Sequence, residues 1–225
     1  MNWVRSGLVV ASLVGFALVT AVQAQPPGPR GPGQAGRGGS FLGLLSLEKV
    51  QKELKLSDEQ VAKVKQIGEK LGPQLREQWT GLRDIQDVQQ RRAKMAELTK
   101  QGDETARTEL REVLSQEQWM RLYQIRLQVR GPVFGLNNKW IAERLKLTSE
   151  QKEKAAAIEK ATADKLYELS SGMRDLSQEQ RREKLAEVGE KVRKIRSEAD
   201  AQALELLNAE QKAAFEKAKG DKFEL

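Results

Sequence analysis

Three kinds of residue in this chain have types or spacings that suggest chemistry. Neighbouring carboxylates such as Asp58 and Glu59 have the identities of a general acid and base, but adjacent residues at a helix start face different ways, so a solvated charged face accounts for them better. Histidine and cysteine are absent from all 225 residues. That removes the usual ligands for zinc, nickel and copper, together with the readiest general bases and soft nucleophiles. What is left is hydrogen-bonding chemistry in a five-residue phrase. It reads Leu56-Ser57-Asp58-Glu59-Gln60, Leu114-Ser115-Gln116-Glu117-Gln118, Leu147-Thr148-Ser149-Glu150-Gln151 and Leu207-Asn208-Ala209-Glu210-Gln211, with a fifth copy at Leu176-Ser177-Gln178-Glu179-Gln180.

Each copy predicts a helix start. Ser57, Ser115, Thr148, Ser177 or Asn208 serves as an N-cap whose side-chain oxygen takes an orphan backbone N–H. The glutamine three residues later (Gln60, Gln118, Gln151, Gln180 or Gln211) reaches back to the cap's own N–H, and the intervening glutamate sits well at the positive end of the helix dipole. Only Leu56 and Leu114 have an apolar residue one past the glutamine, Val61 and Trp119, with which to form a hydrophobic staple. Any one copy is explained by starting an amphipathic helix. The pairing asks for more: Gln60 and Gln118 are 58 residues apart, and Gln151 and Gln211 are 60 apart.

The elements around these phrases repeat. Lys55-Leu56 aligns with Lys146-Leu147, and Gly81-Leu82-Arg83-Asp84 with Gly172-Met173-Arg174-Asp175, at one offset. The run from Gln90 to Glu97 aligns with Gln180 to Glu187 one residue out of step. Gly131-Pro132 closes the first copy, and Phe134-Gly135-Leu136 echoes Phe41-Leu42-Gly43. Such a repeat governs architecture before any single motif does. The domain reading is 1–24 leader, 25–40 linker, 41–131 first repeat, 132–220 second repeat and 221–225 a C-terminal tail.

Within a unit, Val61, Val64, Ile67, Leu71, Leu75, Trp79, Leu82, Ile85 and Val88 step by three or four, as do Leu185, Val188, Val192, Ile195, Ala199, Ala203 and Leu206. Charged residues and glutamine fill the other faces, so the fold class is all-α. Gly72-Pro73 is expected to kink or interrupt the first long helix. Gly102 and Ser170-Ser171-Gly172 are expected breaks or caps. Each unit then holds a short entry helix (about 46–54 and 138–145), two long helices and a short final helix.

At the N-terminus, Arg5, the apolar run from Gly7 to Val22 and the small residues of Val22-Gln23-Ala24 read as a cleaved export signal, with cleavage after Ala24. The Pro/Gly-rich stretch 25–40 reads as a flexible tether. For an exported chain, the lack of cysteine means helix packing holds the fold. The net charge is +7, with basic clusters at Arg91-Arg92-Lys94, at Arg121, Arg126 and Arg130, and at Arg181-Arg182-Lys184. These are interleaved with acids, which argues against nucleic acid and for an acidic lipid or an acidic, partly unfolded polypeptide. Trp79, Trp119, Tyr123 and Trp140 are candidates for apolar contact or for core anchors.

The phrase, its paired spacing and the leader together resemble the Spy/CpxP family of small periplasmic helical proteins, known for a twice-occurring Leu-Thr-x-x-Gln motif. Leu147-Thr148-Ser149-Glu150-Gln151 matches it to the letter; the other copies replace Thr with Ser or Asn. The resemblance implies long helical hairpins that pair into a cradle. It also implies either an ATP-independent chaperone holding unfolded proteins or an accessory to an envelope-stress sensor. Metal-binding relatives use His-containing sites, which this chain lacks. With two units in one chain, the expectation is an intrachain version of the family's dimer, with a homodimer of the whole chain left open. The expected function is an exported holdase, with a sensor accessory or a structural envelope protein as alternatives. No enzymatic activity, cofactor, metal, nucleic-acid partner or small-molecule substrate is expected, and the client-binding residues are not assigned.

Overall fold

The computed structural model describes residues 39–173 and 176–225. The leader and residues 25–38 of the linker lie outside the described residues. The described residues form helices joined by turns, without strands. They comprise α1 (Phe41–Leu45), α2 (Glu48–Glu53), α3 (Asp58–Gly81), α4 (Val88–Arg111), α5 (Gln116–Leu136), α6 (Lys139–Arg144), α7 (Ser149–Ser171), α8 (Gln178–Glu205) and α9 (Ala209–Lys219). A 3-10 turn, Leu82–Asp84, bridges α3 and α4. The last two residues of the expected linker already belong to the packed structure. Gly39 is buried, and the Ser40 side chain accepts from Gly43 N–H at 3.1 Å to start α1.

The short entry helices end alike. Lys55 and Lys146 stand at φ 50° and 51°. Around them, Leu56 N–H donates to Gln51 O at 3.0 Å and Leu147 N–H to Ala142 O at 2.9 Å. These six-to-one bonds close a Schellman motif in which lysine occupies the left-handed position that glycine usually takes.

Neither Gly72-Pro73 nor Gly102 interrupts its helix. α3 runs unbroken through Gly72-Pro73; Pro73 is exposed, so the carbonyl left without an N–H partner can be served by water. Gly102 lies inside α4, where it permits a close approach: a Cβ there would meet the Leu75 side chain of α3 at 3.0 Å. Gly172 does cap α7, its N–H donating to Glu168 O at 3.2 Å. The real break is at Gly131-Pro132 inside α5, where Gly131 takes φ 79° and ψ 179°. Even up to that break, from Gln116 to Arg130, the helix after the second phrase is longer in the first half than the 11-residue α9, which is the short final helix expected.

α3 and α4 form one long antiparallel hairpin, and α7 and α8 a second. α5 packs on α1, α6, α7, α8 and α9, so it is the element on which both halves are built. Two apolar clusters flank it. One gathers Phe41, Leu44, Leu45, Val50, Leu110, Leu122 and Ile125; the other gathers Leu127, Leu136, Ile141, Leu145, Ala203 and Phe215, with Tyr123 touching both. Away from α5 the hairpins meet through polar groups on α4 and α7. Arg91 Nη2 donates to the Tyr167 hydroxyl at 2.5 Å, Arg92 pairs with Asp164, and the Arg92 guanidinium lies 4.0 Å from the Tyr167 ring centre.

Candidate functional site

All five phrases open a helix with a complete capping box. Ser57, Ser115, Thr148, Ser177 and Asn208 accept from the backbone N–H of Gln60, Gln118, Gln151, Gln180 and Gln211, and each glutamine side chain accepts from the cap's N–H in return. α4 lacks the phrase and begins instead on Asp87, whose carboxylate accepts from Gln90 N–H at 2.7 Å.

Four of the glutamines are brought together in two pairs. Gln60 Nε2 donates to Gln118 Oε1 at 2.8 Å, and Gln118 Nε2 donates back to Gln60 Oε1 at 3.1 Å. The second amide hydrogens go to the ends of neighbouring helices: Gln60 to Val113 O at 2.8 Å and Gln118 to Leu54 O at 3.2 Å. Gln151 and Gln211 repeat the arrangement. They exchange bonds of 2.8 and 3.0 Å, and donate to Leu206 O at 2.7 Å and Leu145 O at 3.3 Å.

A carboxamide has two donors and two acceptor sites, and here all four are used at each glutamine. Glutamate could cap its own helix equally well but could not donate to the partner or to the carbonyl. Because each pair sits partly buried where two helix starts meet two helix ends, leaving any of these groups unmade would be costly. Gln180 caps α8 alone and faces no second glutamine among the described residues. Of the leucines, Leu114, Leu147 and Leu207 are buried, Leu56 packs at the edge of the first cluster, and Leu176 is half-buried. Trp119 packs on the cluster that holds Leu114.

The carboxylates of the phrases face water. Glu59 pairs with Lys63 at 2.8 Å and Glu150 with Lys154 at 2.7 Å, and each lysine holds its glutamate below the ordinary carboxylate value. Among the described residues no group of histidine, cysteine and acidic side chains is placed to hold a metal ion, and no helix is long and apolar enough to cross a membrane.

Arg91, Arg92, Arg121 and Arg126 of the basic clusters turn inward, whereas Lys94, Arg130, Arg181, Arg182 and Lys184 stay exposed. Arg91 and Arg92 join the two hairpins, while Lys94 pairs with Glu97 at 2.9 Å. Arg121 holds Glu53 at 2.5 Å. Arg126 is buried: it pairs with Asp103, donates to Gly39 O at 2.8 Å and lies 4.0 Å from the Phe41 ring centre. Arg181 reaches back to Leu176 O at 2.9 Å.

The aromatic candidates divide. Trp119 packs at a tilt against Phe41 of the first cluster, ring centres 4.8 Å apart, whereas Trp79 and Trp140 are 39% and 37% exposed. Tyr123 lies edge-on to Trp140 at 5.3 Å, and the Arg144 guanidinium sits 5.4 Å from the Trp140 ring. Met120, one turn before Tyr123 on α5, is 43% exposed. Burial pushes the Tyr123 phenol up, against the opposing pull of Arg126 and Arg107.

Sequence reasoning missed Asp200. Its carboxylate accepts from Val133 N–H at 3.0 Å and lies where a side chain at position 131 would begin. It thus caps, from α8, the helical segment that restarts after Gly131. Desolvation raises its pKa, against the lowering effects of the Val133 hydrogen bond and Arg196. The signal available was the Gly131-Pro132 break, which leaves a helix start without a capping residue of its own. Comparison with known protein families, curated proteins and solved structures finds no match.

Proposed function

We propose that this chain is an exported, ATP-independent holdase that resembles the Spy/CpxP family, with two related helical units packed in one chain as an intramolecular pair. One observation carries this reading: large apolar side chains stand exposed, Trp79, Met120 and Trp140 among them, and the Arg144 guanidinium lies 5.4 Å from the Trp140 ring centre. Such a surface offers weak, non-directional contact to many unfolded segments, and the long cationic side chains can lie along apolar surface while their heads stay in water. Joining two units covalently would make their pairing independent of concentration. The leader supports export, and the Pro/Gly-rich stretch that follows it supports a tether.

The test is light scattering from chemically unfolded, unrelated clients, with and without an equimolar amount of the chain lacking residues 1–24, in the absence of ATP. Suppression across several clients is expected, and weaker suppression by the double variant Met120→Ser, Trp140→Ser. A helical, folded protein that suppresses none of them would overturn the holdase and favour a dedicated accessory of an envelope sensor.

A further inference from the structure

The C-terminal tail lies on α5 in the manner of a bound peptide. Gly220 turns the chain at φ 64°, with the Gln124 side chain where a Cβ would stand. Around this turn, Gln128 Nε2 donates to Lys219 O at the end of α9 and to Asp221 O, both at 2.8 Å, and Gln128 Oε1 accepts from Phe223 N–H at 2.9 Å. Arg121 Nη1 donates to Asp221 O at 2.9 Å, while its remaining nitrogens are held by Glu53. The C-terminal tail is therefore docked on α5.

The contacts are of two kinds. Those from Arg121 and Gln128 address only backbone atoms of the tail, so they would accept other sequences. Asp221 makes no side-chain contact with α5 among these bonds, and the Lys222 ammonium turns to Glu224 at 2.6 Å. Of the tail's two apolar side chains, Phe223 packs against the first apolar cluster and Leu225 is exposed. Backbone capture plus one apolar anchor is the chemistry by which proteins hold extended peptides with little sequence preference.

We propose that the face of α5 bearing Arg121, Gln124 and Gln128 is a peptide-binding site, occupied in the resting chain by its own tail. Its occupant in use is an extended segment of an unfolded polypeptide carrying an aromatic residue. This rests on the reading of the chain as a holdase for the identity of that occupant. A tethered ligand competes at the high effective concentration set by its short connection, so it keeps the site closed to weak peptides and yields to segments with a better anchor.

The probe is a fluorescein-labelled peptide, Gly-Asp-Lys-Phe-Glu-Leu, followed by fluorescence anisotropy with the unaltered chain, with Phe223→Ala and with Phe223→Ala, Gln128→Ala, each checked for helicity by circular dichroism. Phe223→Ala should bind the probe at least about ten-fold more tightly than the unaltered chain, because the internal competitor loses its anchor. Adding Gln128→Ala should reverse the gain, and a probe with alanine for phenylalanine should fail to bind. If Phe223→Ala unfolds, Phe223→Leu replaces it with the same order of affinities. Equal binding by all variants, or no binding to a folded Phe223 variant, overturns the site. Client suppression without peptide binding would overturn the site and spare the holdase, whereas peptide binding without suppression would do the reverse.

Discussion

Gln60 and Gln118 exchange a pair of side-chain amide hydrogen bonds between the first turns of α3 and α5, and each also caps its own helix and donates to the end of another. The pair therefore ties two helix starts to two helix ends in one partly buried network. Gln60→Glu keeps the acceptor that caps Ser57 N–H but loses both donors, so Val113 O is left unpaired and two oxygens face each other at Gln118. A loss of about 1–3 kcal/mol is expected from the unmet buried groups. Gln180→Glu leaves a solitary capping box and should change stability by no more than about 0.5 kcal/mol, as surface substitutions do. Urea denaturation of the two variants separates the roles; equal effects would show that the pairing adds nothing to capping.

Helix starts and their order were legible in the sequence because capping is local: Ser57, Thr148 and Asn208 find their partners three residues away. The partnership of Gln60 with Gln118 was legible only as a spacing, since nothing local says that two helix starts 58 residues apart meet. Gly102 misled for a related reason. A glycine is a break or a close approach according to its neighbour, and Leu75 of α3 decides for Gly102. Arg91, Arg92 and Arg126 read as surface cations because their partners Tyr167, Asp164 and Asp103 are distant in sequence. The docked tail was hidden because its contacts use backbone atoms, which leave no composition signal.

Left-handed backbone gives a pair of opposite expectations. Lys55 and Lys146 hold φ 50° and 51°, where a Cβ is penalised, so Lys55→Gly and Lys146→Gly should each stabilise by up to about 1 kcal/mol after the entropy of glycine in the unfolded chain is subtracted. Gly131→Ala meets both an unfavourable φ of 79° and the Asp200 carboxylate, and should cost about 2 kcal/mol or more. Thermal unfolding of the three variants checks this. A stabilising Gly131→Ala would contradict the break within α5.

The contact between α4 and α7 depends on a ring and a hydroxyl that substitution can separate. Tyr167→Phe keeps the face on which Arg92 lies and removes the hydroxyl that Arg91 engages, so it should cost about 1 kcal/mol, the scale of one hydrogen bond. Tyr167→Ala removes both and should cost about 1–2 kcal/mol more. Spin labels on the exposed positions Ala93 and Lys165 should report a wider distance distribution in Tyr167→Ala than in Tyr167→Phe. Identical distributions would mean that the hairpins are held apart from this contact.

Asp200 gives the chain a pH dependence of defined sign. Desolvation raises its folded pKa above the ordinary value of 3.8, so folding favours the neutral carboxyl. The stabilisation linked to that proton is fully present below the unfolded pKa and is lost as pH rises through the raised folded value, leaving a charged, partly desolvated group at neutral pH. An asparagine side chain in its place would keep an oxygen acceptor for Val133 N–H and carry no charge. Asp200→Asn should therefore be more stable than the unaltered chain at pH 7, with the difference shrinking as the pH is lowered past the folded pKa towards 3.8. Asp200→Ala discards the cap altogether and should cost about 1 kcal/mol at low pH, where no charge penalty masks the loss. Urea midpoints measured from pH 3 to about 7 for the three proteins test both statements on the carboxylate range. A constant difference between the unaltered chain and Asp200→Asn would assign the effect to packing at Gly131 and remove the charge from the account.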